Sequence, residues 1–222
     1  MPFAEEWDRL YTSSRHLSIW PWTDVVALTL RHIRPASPDF RVLELGCGAG
    51  ANIPFFRSLG VEYWAIEGSP AIVAQLRETY PDMAERMLVG DFTRQIGAPG
   101  QFDLILDRGS LTHNQTSCLR RSLQLLRNAL KPTGHLLSVD MFSTDFSEFA
   151  EGEAGEDHYT RINFTRGRLA GTGVAHFADE VHLRDLLSDF TIEVLEHKTV
   201  RQFEPQNGVF AAWNIIARPA NA

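Results

Sequence analysis

Read as apolar and polar positions, the chain changes period once, near residue 40. Before that point apolar side chains recur at helical spacing. Ala4, Trp7, Leu10 and Tyr11 mark one helix, and Val25, Val26, Leu28 and Ile33 within PWTDVVALTLRHI mark a second, with Thr23 or Asp24 as its cap. Between them SSRHLSIWPW is too aromatic for a plain linker and fits neither regular period. From Arg41 short apolar runs alternate with amphipathic stretches: RVLEL, NIPFFRSLG, EYWAIE, SPAIVAQLRETYP, RMLVGD, FDLILD, TSCLRRSLQLLRNALKP and HLLSVDMF. The punctuation agrees: Pro54 falls in a first helical turn with Gly60 past its end, Ser69 is placed as a cap before Pro70, and Pro81 stops the helix that follows. Strands that are apolar throughout, rather than on alternate positions, predict a parallel sheet covered on both faces.

Residues 143 to 178 break this rhythm with a stretch rich in acids, glycine and aromatics, read as an insertion at the rim that caps the substrate. The helix DEVHLRDLLSDF restores the alternation. TIEVLEHKTVRQF and VFAAWNIIARP then follow in succession, joined by EPQNG, whose Asn207 and Gly208 suit a hairpin turn. Repeats, low-complexity tracts and interdomain linkers are absent from the sequence. The expected architecture is a single doubly wound, Rossmann-like α/β domain over residues 1 to 222, with N-terminal helices and a lid in residues 1 to 38.

Composition narrows the function classes. With 222 residues and a formal charge of -7, the molecule as a whole repels a phosphate backbone, so nucleic acid is a poor partner. Cys47 and Cys118 offer neither a disulfide framework nor metal spacing, which suits a reducing compartment. MPFAEEWDRLY carries acids where a signal peptide needs basic and then apolar residues, and no run reaches membrane-spanning length. A cytoplasmic protein with no membrane partner is expected. His176 and His182 lack the further ligands and spacing of a metal site, so no metal is expected.

The chemistry concentrates in VLELGCGAGANIPFF. Gly46, Gly48 and Gly50 stand where an open sheet binds ligands, at a turn whose missing side chains let backbone amides approach a bound molecule. Glu44, two residues earlier, sets the sign of that ligand. A carboxylate opposes pyrophosphate and suits an ammonium or sulfonium. Glu67, followed by Gly68, closes the second strand where a ribose-binding acid belongs. Asp91 and Phe92 in GDF end the third, a carboxylate for an exocyclic amine beside a ring for a base.

These residues, with FDLILDRGSLTH and KPTG, resemble the class I S-adenosylmethionine-dependent methyltransferase family over roughly residues 40 to 142 and the closing strand pair. The resemblance implies a seven-stranded, mostly parallel sheet with an antiparallel terminal strand, and S-adenosylmethionine as cofactor. It places the methionine part on Gly46, Cys47, Gly48 and Gly50, the ribose hydroxyls on Glu67, and the adenine amine on Asp91 with Phe92 flanking the base. KPTG departs from the family's KPGG at Thr133. RHLSIWPW together with ELGCGAG and DRGSLTHN is similar to small bacterial methyltransferases of surface-glycan or secondary-metabolite pathways, which implies a small-molecule acceptor.

Methyl transfer is an in-line displacement, so the protein must align a lone pair, exclude water and keep the nucleophile unprotonated. LDRGSLTHN supplies Asp107, Arg108, Thr112, His113 and Asn114 above strand four, with His113 as candidate base and Asp107 as a second catalytic candidate or a partner of the cofactor's amino group. In SSRHLSIWPW, Arg15 is placed to pair with the cofactor carboxylate, and His16, Trp20 and Trp22 to line a lid over the sulfonium. Two rivals remain open at this stage: another transferase on the same fold, and a noncatalytic cofactor-binding module.

Overall fold

The computed structural model describes residues 18–205 and 207–220. Among these, seven strands form one sheet: β1 (Arg41–Leu45), β2 (Glu62–Glu67), β3 (Met87–Val89), β4 (Phe102–Arg108), β5 (Leu130–Phe142), β9 (Phe190–Gln202) and β10 (Gly208–Pro219). Their order is β3-β2-β1-β4-β5-β10-β9, with β10 antiparallel to both its neighbours. The order reverses between β1 and β4, the crevice at which open α/β sheets take their ligands.

Adjacent strand residues feed opposite faces. Val42, Leu104 and Leu106 join Phe56 and Tyr63 under α1 (Thr23–Leu28), α2 (Ile53–Ser58) and α3 (Pro70–Thr79). Leu43, Leu45 and Ile105 join Leu119, Leu123 and Leu126 of α4 (Thr116–Ala129) and Leu183 of α5 (Glu180–Leu186) on the other side. The expected cover on both faces is present, and it explains why the strand runs are apolar at every position.

Local signals act where the sequence places them. The Ser69 Oγ accepts the Ile72 N–H at 3.4 Å at the start of α3, and α3 ends at Thr79, just before Pro81. The second predicted helix differs in detail. It is α-helical only over Thr23–Leu28 and widens into a π-turn over Thr29–Ile33, closed by Arg34 at φ 54°. Its N-cap position is Trp22, with no side-chain cap bond, because Asp24 turns to Lys198 of β9 at 2.6 Å instead. The first predicted helix, Ala4 to Tyr11, lies outside the described residues. KPTG forms a bulge inside β5: pairing with β4 passes from Phe102–Leu130 to Leu104–His135, and a Cβ on Gly134 would stand 2.6 Å from the Phe102 carbonyl. At the β9–β10 connection Gln202 pairs with Gly208, so the link is longer than the two-residue Asn-Gly turn.

Residues 143–178 carry a second, three-stranded sheet of β6 (Glu153–Ala154), β7 (Thr160–Ile162) and β8 (Val174–His176). Phe142, Phe146, Phe164 and Phe177 pack beneath it as a separate apolar cluster. It rests on the carboxyl edge of the main sheet: the Thr112 Oγ1–H donates to the His176 carbonyl at 2.7 Å, and the Ala178 N–H to the Phe142 carbonyl at 2.8 Å.

Candidate active site

The turn after β1 is built as its three glycines demand. Gly46, Gly48 and Gly50 adopt φ of 57°, 51° and 82°, a left-handed region that penalises any Cβ. Space is equally restrictive: a Cβ on Gly46 would lie 2.6 Å from the Cβ of Ser110, and one on Gly50 2.7 Å from the Ile53 Cδ1.

Glu67 faces the mouth of this turn. Its Oε2 accepts the Gly48 N–H at 2.9 Å and its Oε1 the Ser69 N–H at 3.0 Å, with Gly68 forming the bend between. The Gly90 N–H donates to the Glu67 carbonyl at 3.0 Å, which brings the segment after β3 alongside. There the Asp91 Oδ1 accepts from the Thr93 N–H at 2.9 Å and its hydroxyl at 2.6 Å, whereas Oδ2 is buried without a hydrogen-bond partner among the described residues. The Phe92 ring leans toward the same turn, its Cε1 3.9 Å from where a Gly46 Cβ would be. Gly46 to Gly50, Glu67, Asp91 and Phe92 are thus brought together.

Glu44 sits otherwise than its charge suggests. Asn52 donates to its Oε1 at 2.8 Å and the Tyr63 hydroxyl to its Oε2 at 2.5 Å, in a site only 3% exposed. Burial raises its pKa to about 7, against the pull of these two donors. Its carboxyl therefore braces Asn52, whose Oδ1 accepts the Trp22 N–H at 3.2 Å and so ties the N-terminal segment to the glycine turn. Asn52 was not singled out by the sequence; its place two residues after the last glycine was the signal available. Cys47 is buried, and burial followed by the charges of Glu67 and Glu44 raises its thiol pKa, which removes nucleophilic character.

Asp107 is fully buried and its oxygens are engaged internally. Oδ1 accepts the backbone N–H groups of Ser110 and Leu111, each at 2.9 Å, and Oδ2 the Ser138 hydroxyl at 2.6 Å. That arrangement holds the loop after β4 in place rather than offering a proton acceptor to a substrate. His113 ends that loop. Its Nδ1 lies 3.1 Å from the Val174 carbonyl, to which it donates, so Nε2 is the basic nitrogen, and its ring meets Phe142 edge-on at 5.5 Å. Trp20 is 74% exposed, and the ring face of Trp22 is occupied by the Arg108 guanidinium 3.4 Å from its centre, not open to a ligand cation on that side. Arg15 and His16 lie outside the described residues. Asp140, Lys198 and Asp24, which join Arg108 in a charged network, were not anticipated as a group because they are far apart in sequence.

With this geometry in hand, residues 42–134 match the methyltransferase-domain family. Two curated relatives align over about three-fifths of the chain. The hybrid PKS-NRPS synthetase mycA of Thermothelomyces thermophilus is 28% identical over 139 residues, 58% of this chain and 3% of that protein. The polyketide synthase-nonribosomal peptide synthetase ACE1 of Pyricularia oryzae is 27% identical over 148 residues, 62% of this chain and 4% of that one. The chain spans only a few hundredths of the length of these relatives. Among solved structures, the 1,6-didemethyltoxoflavin-N1-methyltransferase of Burkholderia thailandensis superposes with a TM-score of 0.68 at 19% identity, over 98% of this chain and 87% of its own, a likeness of fold. The fold is the one shared by such solved methyltransferase structures, and the family match covers residues 42–134.

Proposed function

We propose that the protein transfers the methyl group of S-adenosylmethionine to a nitrogen or oxygen of a small metabolite, a natural-product intermediate or an amino sugar. The observation that supports this is the Glu67 carboxylate on the Gly48 N–H beside the segment of Gly90 and Asp91, where the buried Asp91 Oδ2 has no donor among the described residues. An orphaned buried carboxylate oxygen asks for a ligand donor, and the exocyclic amine of adenine supplies one. On this reading Gly46, Cys47, Gly48 and Gly50 cradle the amino-acid part by backbone, Glu67 takes the ribose hydroxyls, and Phe92 lies against the base. When bound, the cofactor supplies an electrophilic methyl group on a sulfonium.

The chain's own residues do the rest. His113, whose Nδ1 is held by the Val174 carbonyl, is the residue we assign to take the acceptor's proton. Asp107 positions His113 by bracing the loop that carries it. The sheet carried by residues 143–178 and the segment around Trp22 close the site against water. The PKS-NRPS relatives favour a natural-product acceptor, and the charge of -7 disfavours nucleic acid. We place the enzyme in the cytoplasm; among the described residues no helix is long and apolar enough to cross a membrane.

Incubation with labelled S-adenosylmethionine and a panel of amino sugars, amines, phenols and carboxylates tests the proposal. Label transfer to a low-molecular-weight acceptor is the expected result. Tight cofactor binding with no transfer across the panel supports the alternative, a noncatalytic module.

A further inference from the structure

Two residues in contact at the carboxyl edge of the sheet, Asp140 and Arg108, hold unfavourable states, Asp140 where the pairing of β5 with β10 slips register. Asp140, near the end of β5, stands at φ 61° and is 7% exposed, a conformation that a non-glycine residue keeps only when its surroundings enforce it. The enforcement is visible: its N–H donates to the Asn214 Oδ1 at 3.2 Å, the Arg108 Nη2 meets its Oδ2 at 2.9 Å, and the Lys198 ammonium meets its Oδ1. Lys198 is committed a second time, to Asp24 of α1 at 2.6 Å.

Arg108 spends one nitrogen on this network. Its guanidinium is fixed flat against Trp22, 3.4 Å from the ring centre, and its Nε is buried with no acceptor among the described residues. Burial lowers its pKa, opposed by Asp140, Asp107 and Asp24. The side chain as a whole is nonetheless 27% exposed. An unpartnered buried guanidinium N–H calls for an acceptor, and the planar fork of arginine selects a carboxylate. Its place fits a substrate: Arg108 ends β4, and the loop from Gly109 leads directly to His113.

Resting on the methyl-transfer reading, we propose that Arg108 is an acceptor-orienting residue that binds a carboxylate of the small-molecule acceptor, with Asp140 as its positioning residue. The acceptor class is therefore carboxylate-bearing. Asp140 and Trp22 fix the guanidinium plane before the acceptor arrives, so little ordering remains to be done on binding.

The test uses the full chain saturated with S-adenosylhomocysteine and follows binding of matched pairs, benzoate with benzamide and indole-3-carboxylate with its amide, by ligand-observed nuclear magnetic resonance. The acids should bind about tenfold or more tightly than the amides. In Arg108→Gln that ratio should fall to about one while S-adenosylhomocysteine affinity, read by calorimetry, is unchanged; Arg108→Lys, which keeps the charge but not the fork, should restore part of it. Asp140→Asn should reduce the ratio without abolishing it. Acids and amides binding alike in the wild type, an acid preference that survives Arg108→Gln, or a loss of S-adenosylhomocysteine affinity in either Arg108 variant overturns the assignment. Failure of the wild type to bind S-adenosylhomocysteine at all instead removes the methyl-transfer reading beneath it.

Discussion

Glu44, Glu67, Asp91 and Asp107 are four carboxylates within one edge of the sheet, and their partners give them four different tasks. Glu67 accepts from two backbone amides and stays turned to the glycine mouth, whereas Asp107 has given both oxygens to its own loop and to β5. Replacing Glu67 or Asp91 by alanine should weaken S-adenosylmethionine binding about ten- to hundredfold by calorimetry, the worth of one charge-assisted hydrogen bond. His113→Ala should leave that affinity nearly unchanged and lower turnover, by about a hundredfold or more if Nε2 is the base. Glu44 predicts a pH dependence. Its folded pKa of about 7 lies above the ordinary 4.5, so between those values the unfolded chain ionises while the folded one keeps its proton. Its contribution to stability is complete below pH 4.5 and is lost as pH rises to about 7. Thermal unfolding of Glu44→Gln across this range should show that loss removed relative to wild type.

At the scale of elements, the β1–α2 turn is the part with least tolerance. Gly46→Ala puts a side chain at positive φ and against Ser110 at 2.6 Å, so it should destabilise by about 1–3 kcal/mol and weaken cofactor binding as well. A denaturant midpoint and a calorimetric titration check both. The glycines, the Ser69 cap and the Pro81 stop were legible because each acts within a few residues through its own backbone. Less visible was the π-widened end of α1, or the absence of a side-chain cap there, since Asp24 is drawn away by a lysine more than a hundred residues on. KPTG reads as a turn, but only pairing with β4 shows that it bulges inside a continuing strand.

For the molecule as a whole, the added sheet of residues 143–178 matters most, because it is held to the main sheet through a few polar contacts over an aromatic cluster. His176 is central to it: fully buried, its Nδ1 3.1 Å from the Thr116 Oγ1, and its carbonyl accepting from Thr112. Burial lowers its pKa from 6.5 to about 3, with His182 adding to the effect. Between these values the unfolded chain takes up a proton that the folded one refuses, so stability is lost as pH falls, opposite in sign to Glu44. His176→Gln should flatten the acid side of the stability curve, and hydrogen exchange in residues 143–178 should respond before that of β1 and β4.

By itself the sequence determined the sheet, its two-sided cover, the glycine turn and the acids at the ends of β2 and β3, because hydrophobic period, helix caps and positive-φ glycines act locally. Only the tertiary structure decided what each charged side chain faces. Glu44 was diverted to Asn52 and Tyr63, Asp107 to its own loop, and Asp24, Arg108, Asp140 and Lys198 were gathered from four elements into one network. The physical reason is that a carboxylate's role depends on the donors within about 3 Å of it, and in this fold those donors come from strands and loops that pair across long separations in the chain.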